Sequence, residues 1–101
     1  MTTESKLKLP IEKIERLCQL YQVRELSLFG SVLTDRFTEK SDVDFLVEFK
    51  PEVRMGLVKF IQFQHELSAL VSRQVDLVPK AGLKPLIRQS VLESSQVLYA
   101  A

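Results

Sequence analysis

The sequence predicts an α/β fold, α+β in its arrangement: one small mixed β-sheet with helices packed on it. Segments of helical period and segments of strand period alternate along the chain, in the order α-β-α-β-α-β-α-β. The chain has 101 residues, enough for one domain and too few for two. With 46% hydrophobic and 27% charged residues, its composition is that of an ordinary globular protein. No internal repeat or low-complexity tract interrupts it. One domain is expected over residues 1–101, with residues 1–9 as a flexible leader.

Each element has its own signal. Pro10 opens a segment in which Ile11, Ile14, Leu17, Cys18 and Tyr21 recur at helical spacing, which predicts an amphipathic helix over 10–22. "VRELSLF" (23–29) alternates, with Val23, Glu25 and Ser27 against Arg24, Leu26 and Leu28, and reads as a strand ending at Gly30. "SVLTDRF" reads as a short helix with Ser31 as its N-cap. "DVDFLVEF" (42–49) is the clearest strand, with Val43, Phe45, Val47 and Phe49 on one face and Asp42, Asp44, Leu46 and Glu48 on the other. Pro51 ends it. Residues 56–71 carry Leu57, Phe60, Ile61, Phe63, Leu67, Leu70 and Val71, a helix with a wide apolar stripe. "QVDLVP" (74–79) is a third strand, with Asp76 and Val78 opposite Val75 and Leu77. "LKPLIRQSVLES" (83–94) turns helical after its first residues, and "QVLYA" (96–100) makes a short final strand.

Composition also excludes function classes. A net charge of +1 argues against direct nucleic-acid binding and against membrane binding driven by bulk charge. The single cysteine, Cys18, rules out an intramolecular disulfide and reads as a small core residue. "MTTESKLKLP" lacks the apolar stretch of a signal peptide, and no run approaches the ~20 residues that span a bilayer. A cytoplasmic setting is expected. His65, the only histidine, has no Cys or His at ligand spacing and reads as a helix-surface or core residue.

Two acids at the head of the best strand need a reason, because a carboxylate withdrawn from water must be paired or metal-bound. Asp42 and Asp44 share a face, with Cα atoms roughly 6.5–7 Å apart at ~3.3 Å per residue. If the strand carrying Asp76 lies alongside, a third carboxylate joins them. Each part alone also fits solvated surface. Together they fit oxygen donors for Mg²⁺, which takes one or two carboxylates plus substrate phosphates. Two such ions would activate an attacking hydroxyl and stabilise a departing pyrophosphate. Gly30, lacking a Cβ, lets the backbone approach a ligand, and Ser31 at a helix N-terminus offers a seat for phosphate. Glu48 shares the acid face but lies further along the strand and reads as solvated.

"LFGS…SDVDFLVEF", with "VDLV" downstream and the closing "GLKPLIRQSVLESSQVLYA", resembles the minimal nucleotidyltransferases of the DNA polymerase β superfamily. The resemblance covers nearly all of residues 11–101. It implies that Gly30 and Ser31 hold the nucleotide's phosphates, that Asp42 and Asp44 bind both Mg²⁺ ions, and that Asp76 completes the second metal site and prepares the acceptor hydroxyl. It implies a polymerase-β-like fold, ATP as substrate and transfer of AMP to a hydroxyl. Short members of the family act as antitoxins of HEPN-type toxins encoded nearby, so the expected partner is such a toxin. One departure stands out: where members carry an Arg-rich segment after the Gly-Ser, this chain has Val32, Leu33 and Thr34, with Arg36 and Lys40 further on. That departure keeps a second reading open, an antitoxin that neutralises its partner by contact without catalysis.

Overall fold

The computed structural model describes residues 9–30 and 41–101. Ser31, the short helix expected after it, and residues 1–8 of the expected leader lie outside the described residues. The elements are α1 (Ile11–Leu20), β1 (Val23–Phe29), β2 (Val43–Phe49), α2 (Leu57–Val71), β3 (Val75–Pro79), a 3-10 turn (Lys80–Gly82), α3 (Pro85–Ser94) and β4 (Gln96–Ala100). The sheet runs in the order β3-β2-β1-β4. β2 is parallel to β3, and β1 is antiparallel to both β2 and β4, so the sheet is mixed.

One side of the sheet carries the core. Val43, Phe45 and Val47 of β2, Val75 and Leu77 of β3, and Val23, Leu26 and Leu28 of β1 are buried in one cluster with residues of α1 and α2. α1 contributes Ile14, Leu17 and Cys18, at the i, i+3, i+4 spacing of a single helix face. α2 contributes Phe63, Leu67 and Val71, one turn apart along one stripe. Leu9 packs against the same cluster. The Tyr21 ring lies tilted against Phe63 and the Phe49 ring meets it edge-on, at centroid distances of 5.1 and 6.0 Å. Each fully buried side chain of this size contributes roughly 1.5–3 kcal/mol by leaving water.

The alternation expected for β1 changes phase within the strand. Val23 pairs with Phe49 while Glu25 pairs with Glu48, an irregularity that opposes an extra residue, Arg24, to the partner strand. That shift brings Val23 onto the core face with Leu26 and Leu28, where strict alternation would have put it with Glu25 and Ser27.

The second side of the sheet holds the acids. Ser27 and Leu46 face each other across β1 and β2 on this side, and both are buried. α3 buries none of its residues, and Leu86 is 95% exposed. Cys18 is fully enclosed; burial first, and Glu15 second, push its thiol up to about 12, so it stays protonated and inert. Among the described residues no helix is long and apolar enough to cross a membrane.

Candidate active site

The parallel pairing of β2 with β3 sets Asp44 directly beside Asp76. Neighbouring strands are about 4.8 Å apart, so both carboxylates leave the same face of the sheet at nearly the same height. β1 runs the opposite way and pairs Phe29 with Asp44, which delivers Gly30 to that end of the sheet. Asp42 lies one residue before β2 begins. The three acids and Gly30, drawn from three strands, therefore meet at one end of the sheet.

Gly30 is shaped by this meeting. It sits at φ +81°, a conformation L side chains rarely adopt, and a Cβ there would overlap Asp44 Oδ2 and stand 3.2 Å from its carboxyl carbon. No residue but glycine fits without moving the carboxylate. The sequence pattern assigns Gly30 to close approach by a ligand; the structure adds close approach by Asp44.

The electrostatics follow from the crowding. Asp44 is half-buried, whereas Asp42 and Asp76 are exposed. Desolvation raises the Asp44 carboxyl above the ordinary range, and the charges of Asp76 and then Asp42 raise it further. A carboxylate whose neighbours are carboxylates is stabilised by a cation. Among the described residues no group of three or more acidic, His or Cys side chains is arranged to hold a metal ion. The donor chemistry alone bears on the question: carboxylate oxygens are what Mg²⁺ takes, one or two at a time, with water and substrate phosphate in its other positions. On that chemistry Asp42, Asp44 and Asp76 could serve a divalent ion shared with a phosphorylated substrate. Ser31, the expected phosphate seat, lies outside the described residues.

Glu48 stands two pairs along the same face and is engaged elsewhere. It lies opposite Glu25 across β1 and β2, and Lys80 Nζ lies 3.0 Å from Glu25 and 3.8 Å from Glu48. His65 is exposed on α2. Arg73, which no sequence motif singles out, donates through Nη1 to the carbonyl of Ser41, 3.3 Å away and next to Asp42. Its signal is three-dimensional: only the pairing of β2 with β3 brings residue 73 beside residue 41.

The family model described as nucleotidyltransferase domain matches residues 11–98. The chain is 41% identical over 85 residues to protein adenylyltransferase MntA of Thermococcus cleftensis, covering 84% of this chain and 82% of that protein. The chain belongs to the nucleotidyltransferase domain family. Its fold also matches a chain in the crystal structure of a toxin–antitoxin with AMP-PNP, with a TM-score of 0.73 and 21% identity over 92% of this chain and 75% of that one. A second match is to a structure of a tri-AMPylated Shewanella oneidensis HEPN toxin in complex with MNT antitoxin, with a TM-score of 0.65 and 19% identity over 90% of this chain and 70% of that one. At those identities the likeness is one of fold.

Proposed function

We propose that this protein transfers AMP from ATP to a hydroxyl on a HEPN-type toxin encoded beside it, releasing pyrophosphate and acting as that toxin's antitoxin. The observation that carries the reading is the register of Asp44 with Asp76, which joins the Asp42–Asp44 pair to a third acid beside Gly30. The 41% identity to a protein adenylyltransferase supports AMP as the transferred group. The AMPylated HEPN toxin bound to an MNT antitoxin, a relative by fold, supports the acceptor.

In this mechanism Asp42 and Asp44 would hold two Mg²⁺ ions, with Asp76 joining them at the second. The chemistry such ions would supply is neutralisation of triphosphate charge and a lowered pKa for the attacking hydroxyl. Gly30, at the end of β1, and Ser31 after it in sequence are the residues that would receive the phosphates. Asp76, exposed at the rim, takes the proton of the acceptor hydroxyl. The acceptor oxygen bonds to the α-phosphorus as the bond to the β-phosphate oxygen breaks.

Incubation with α-labelled ATP and Mg²⁺, with and without the neighbouring HEPN-type protein, tests the proposal. Label is expected on the neighbour and is expected to vanish with Asp76→Asn. A tight complex that never acquires label would support the non-catalytic antitoxin instead. Rapid labelling of a small metabolite, with no binding to the neighbour, would defeat both.

A further inference from the structure

The three acids reach the site on two separate stretches of chain; the β2–β3 ladder fixes Asp44 beside Asp76, but Asp42 lies just outside that ladder. β2 supplies Asp42 and Asp44; the segment after α2 supplies Asp76. Asp42 precedes its strand and is exposed, so its position depends on what holds the residues on either side of it.

Those neighbours are tied to the turn that leads into β3. Arg73 Nη1 donates to the Ser41 carbonyl at 3.3 Å, and the Val43 amide donates to the Gln74 carbonyl at 2.9 Å. The two bonds grip Asp42 from both sides and come from adjacent residues. The turn is tied to α2 through Ser68, and the strand just beyond Asp76 through Gln64, whose Oε1 accepts from the Leu77 amide at 3.2 Å. The Ser68 carbonyl accepts from the amides of Ser72 and Arg73, and its hydroxyl accepts from the Val75 amide at 3.1 Å. Ser72 ends α2 in the left-handed conformation, φ 56°, and the chain turns there into β3. Asp76 follows directly. This polar knot adds to the strand pairing that places Asp76 and, through Arg73, ties the segment that carries Asp42 to the same turn.

We propose that Arg73 and Ser68 are positioning residues that fix the spacing of Asp42 and Asp76 for a shared divalent cation. The inference rests on the metal-site reading above and goes beyond it, because neither residue is a ligand. Partners that orient ligands typically govern metal affinity by about 10–100-fold. The sign of the effect separates geometry from charge. Removing a cation beside three carboxylates would on its own tighten a metal bound without nucleotide, so weaker Mn²⁺ binding in Arg73→Gln in the absence of the nucleotide points to lost geometry.

The test is Mn²⁺ binding by the full chain, read from the electron paramagnetic resonance of the free ion, with and without a non-hydrolysable ATP analogue. Both Arg73→Gln and Ser68→Ala are expected to raise the Mn²⁺ dissociation constant about tenfold, and Arg73→Lys is expected to recover part of the loss. In the transfer assay the same variants are expected to need more Mg²⁺ for half-maximal rate and to approach the wild-type kcat at saturation. A purely structural role would lower the melting temperature without moving the metal dependence. Unchanged or tighter Mn²⁺ binding in folded Arg73→Gln and Ser68→Ala overturns the proposal. Should Arg73→Gln not fold, Ser68→Ala and Arg73→Lys decide alone. An Asp42→Asn/Asp76→Asn variant separates the two levels: if it binds Mn²⁺ like the wild type, the metal site itself is wrong, whereas loss there with no change in the other variants removes only the positioning role.

Discussion

At the scale of the residue, Gly30 and Asp44 constrain each other. The left-handed backbone at Gly30 disfavours any side chain by roughly 1–2 kcal/mol, and a Cβ there would overlap the Asp44 carboxylate. Gly30→Ala is expected to destabilise the fold by at least that amount in a denaturant melt and to weaken Mg²⁺–nucleotide binding as well; intact binding would show that Asp44 can retreat without consequence. Asp44 itself is expected to lower the stability of the metal-free protein. Burial and then Asp76 and Asp42 raise its carboxyl in the fold, so the folded chain holds that proton more tightly than the unfolded one. Stability from this group is therefore present at acid pH and lost as pH rises through the raised value. In chelator, Asp44→Asn and wild type are expected to melt alike below the ordinary Asp range, with Asn the more stable form above it. A lower melting temperature for Asp44→Asn at neutral pH would instead mark Asp44 as a structural hydrogen-bond partner.

At the scale of the element, a lysine bridges two glutamates on the second side of the sheet. Glu25 and Glu48 oppose each other across β1 and β2, an unfavourable pairing of like charges, and Lys80 reaches both from the turn after β3. Lys80→Ala is expected to lower stability by up to about 1 kcal/mol, the range for partly exposed ion pairs. The loss should shrink in 1 M salt, where screening acts within ~3 Å; a salt-independent loss would point to packing by the lysine stem. The helices on the core side depend instead on buried apolar area, and more free energy is at stake there. Phe63→Ala removes a fully buried ring from α2 and is expected to cost about 3–5 kcal/mol in a urea melt. Most of these elements were legible in the sequence, since β1 and β4 begin and end where alternation and turn residues put them, and the helices differ by one or two residues at their ends. What periodicity does not carry is pairing. Nothing local states that β3 lies beside β2, which decides whether Asp76 joins Asp42 and Asp44. The irregularity at Arg24 was also invisible, because a bulge is set by the partner strand. Alternation puts Leu46 on the acid face, but its burial there depends on tertiary cover. The exposure of Leu86 and of Leu57, Val58 and Ile61 has the same origin, since an apolar stripe does not say whether a neighbour covers it.

At the scale of the molecule, the candidate site exists only when the sheet does. Gly30 comes from the end of β1, Asp42 and Asp44 from the head of β2, and Asp76 from β3, so an unfolded chain offers no such constellation. A ligand that binds only the folded form stabilises it by RT ln(1 + [L]/Kd), about 2.7 kcal/mol at a hundredfold excess over Kd. For a domain of this size that corresponds to a rise in melting temperature on the order of 10 °C. The charges predict how the two ligands cooperate. ATP alone brings a polyanion to three carboxylates and is repelled; Mg²⁺ alone meets an open, incomplete set of donors. Together each supplies what the other lacks. Thermal melts should therefore show a small shift with Mg²⁺, almost none with a non-hydrolysable ATP analogue in chelator, and the large shift only with both. In Asp42→Asn/Asp44→Asn the joint shift should collapse to that of the separate ligands. An undiminished joint shift in that variant would move nucleotide binding away from these acids, and an equal shift by the analogue in chelator would show that the protein grips the phosphates without a metal.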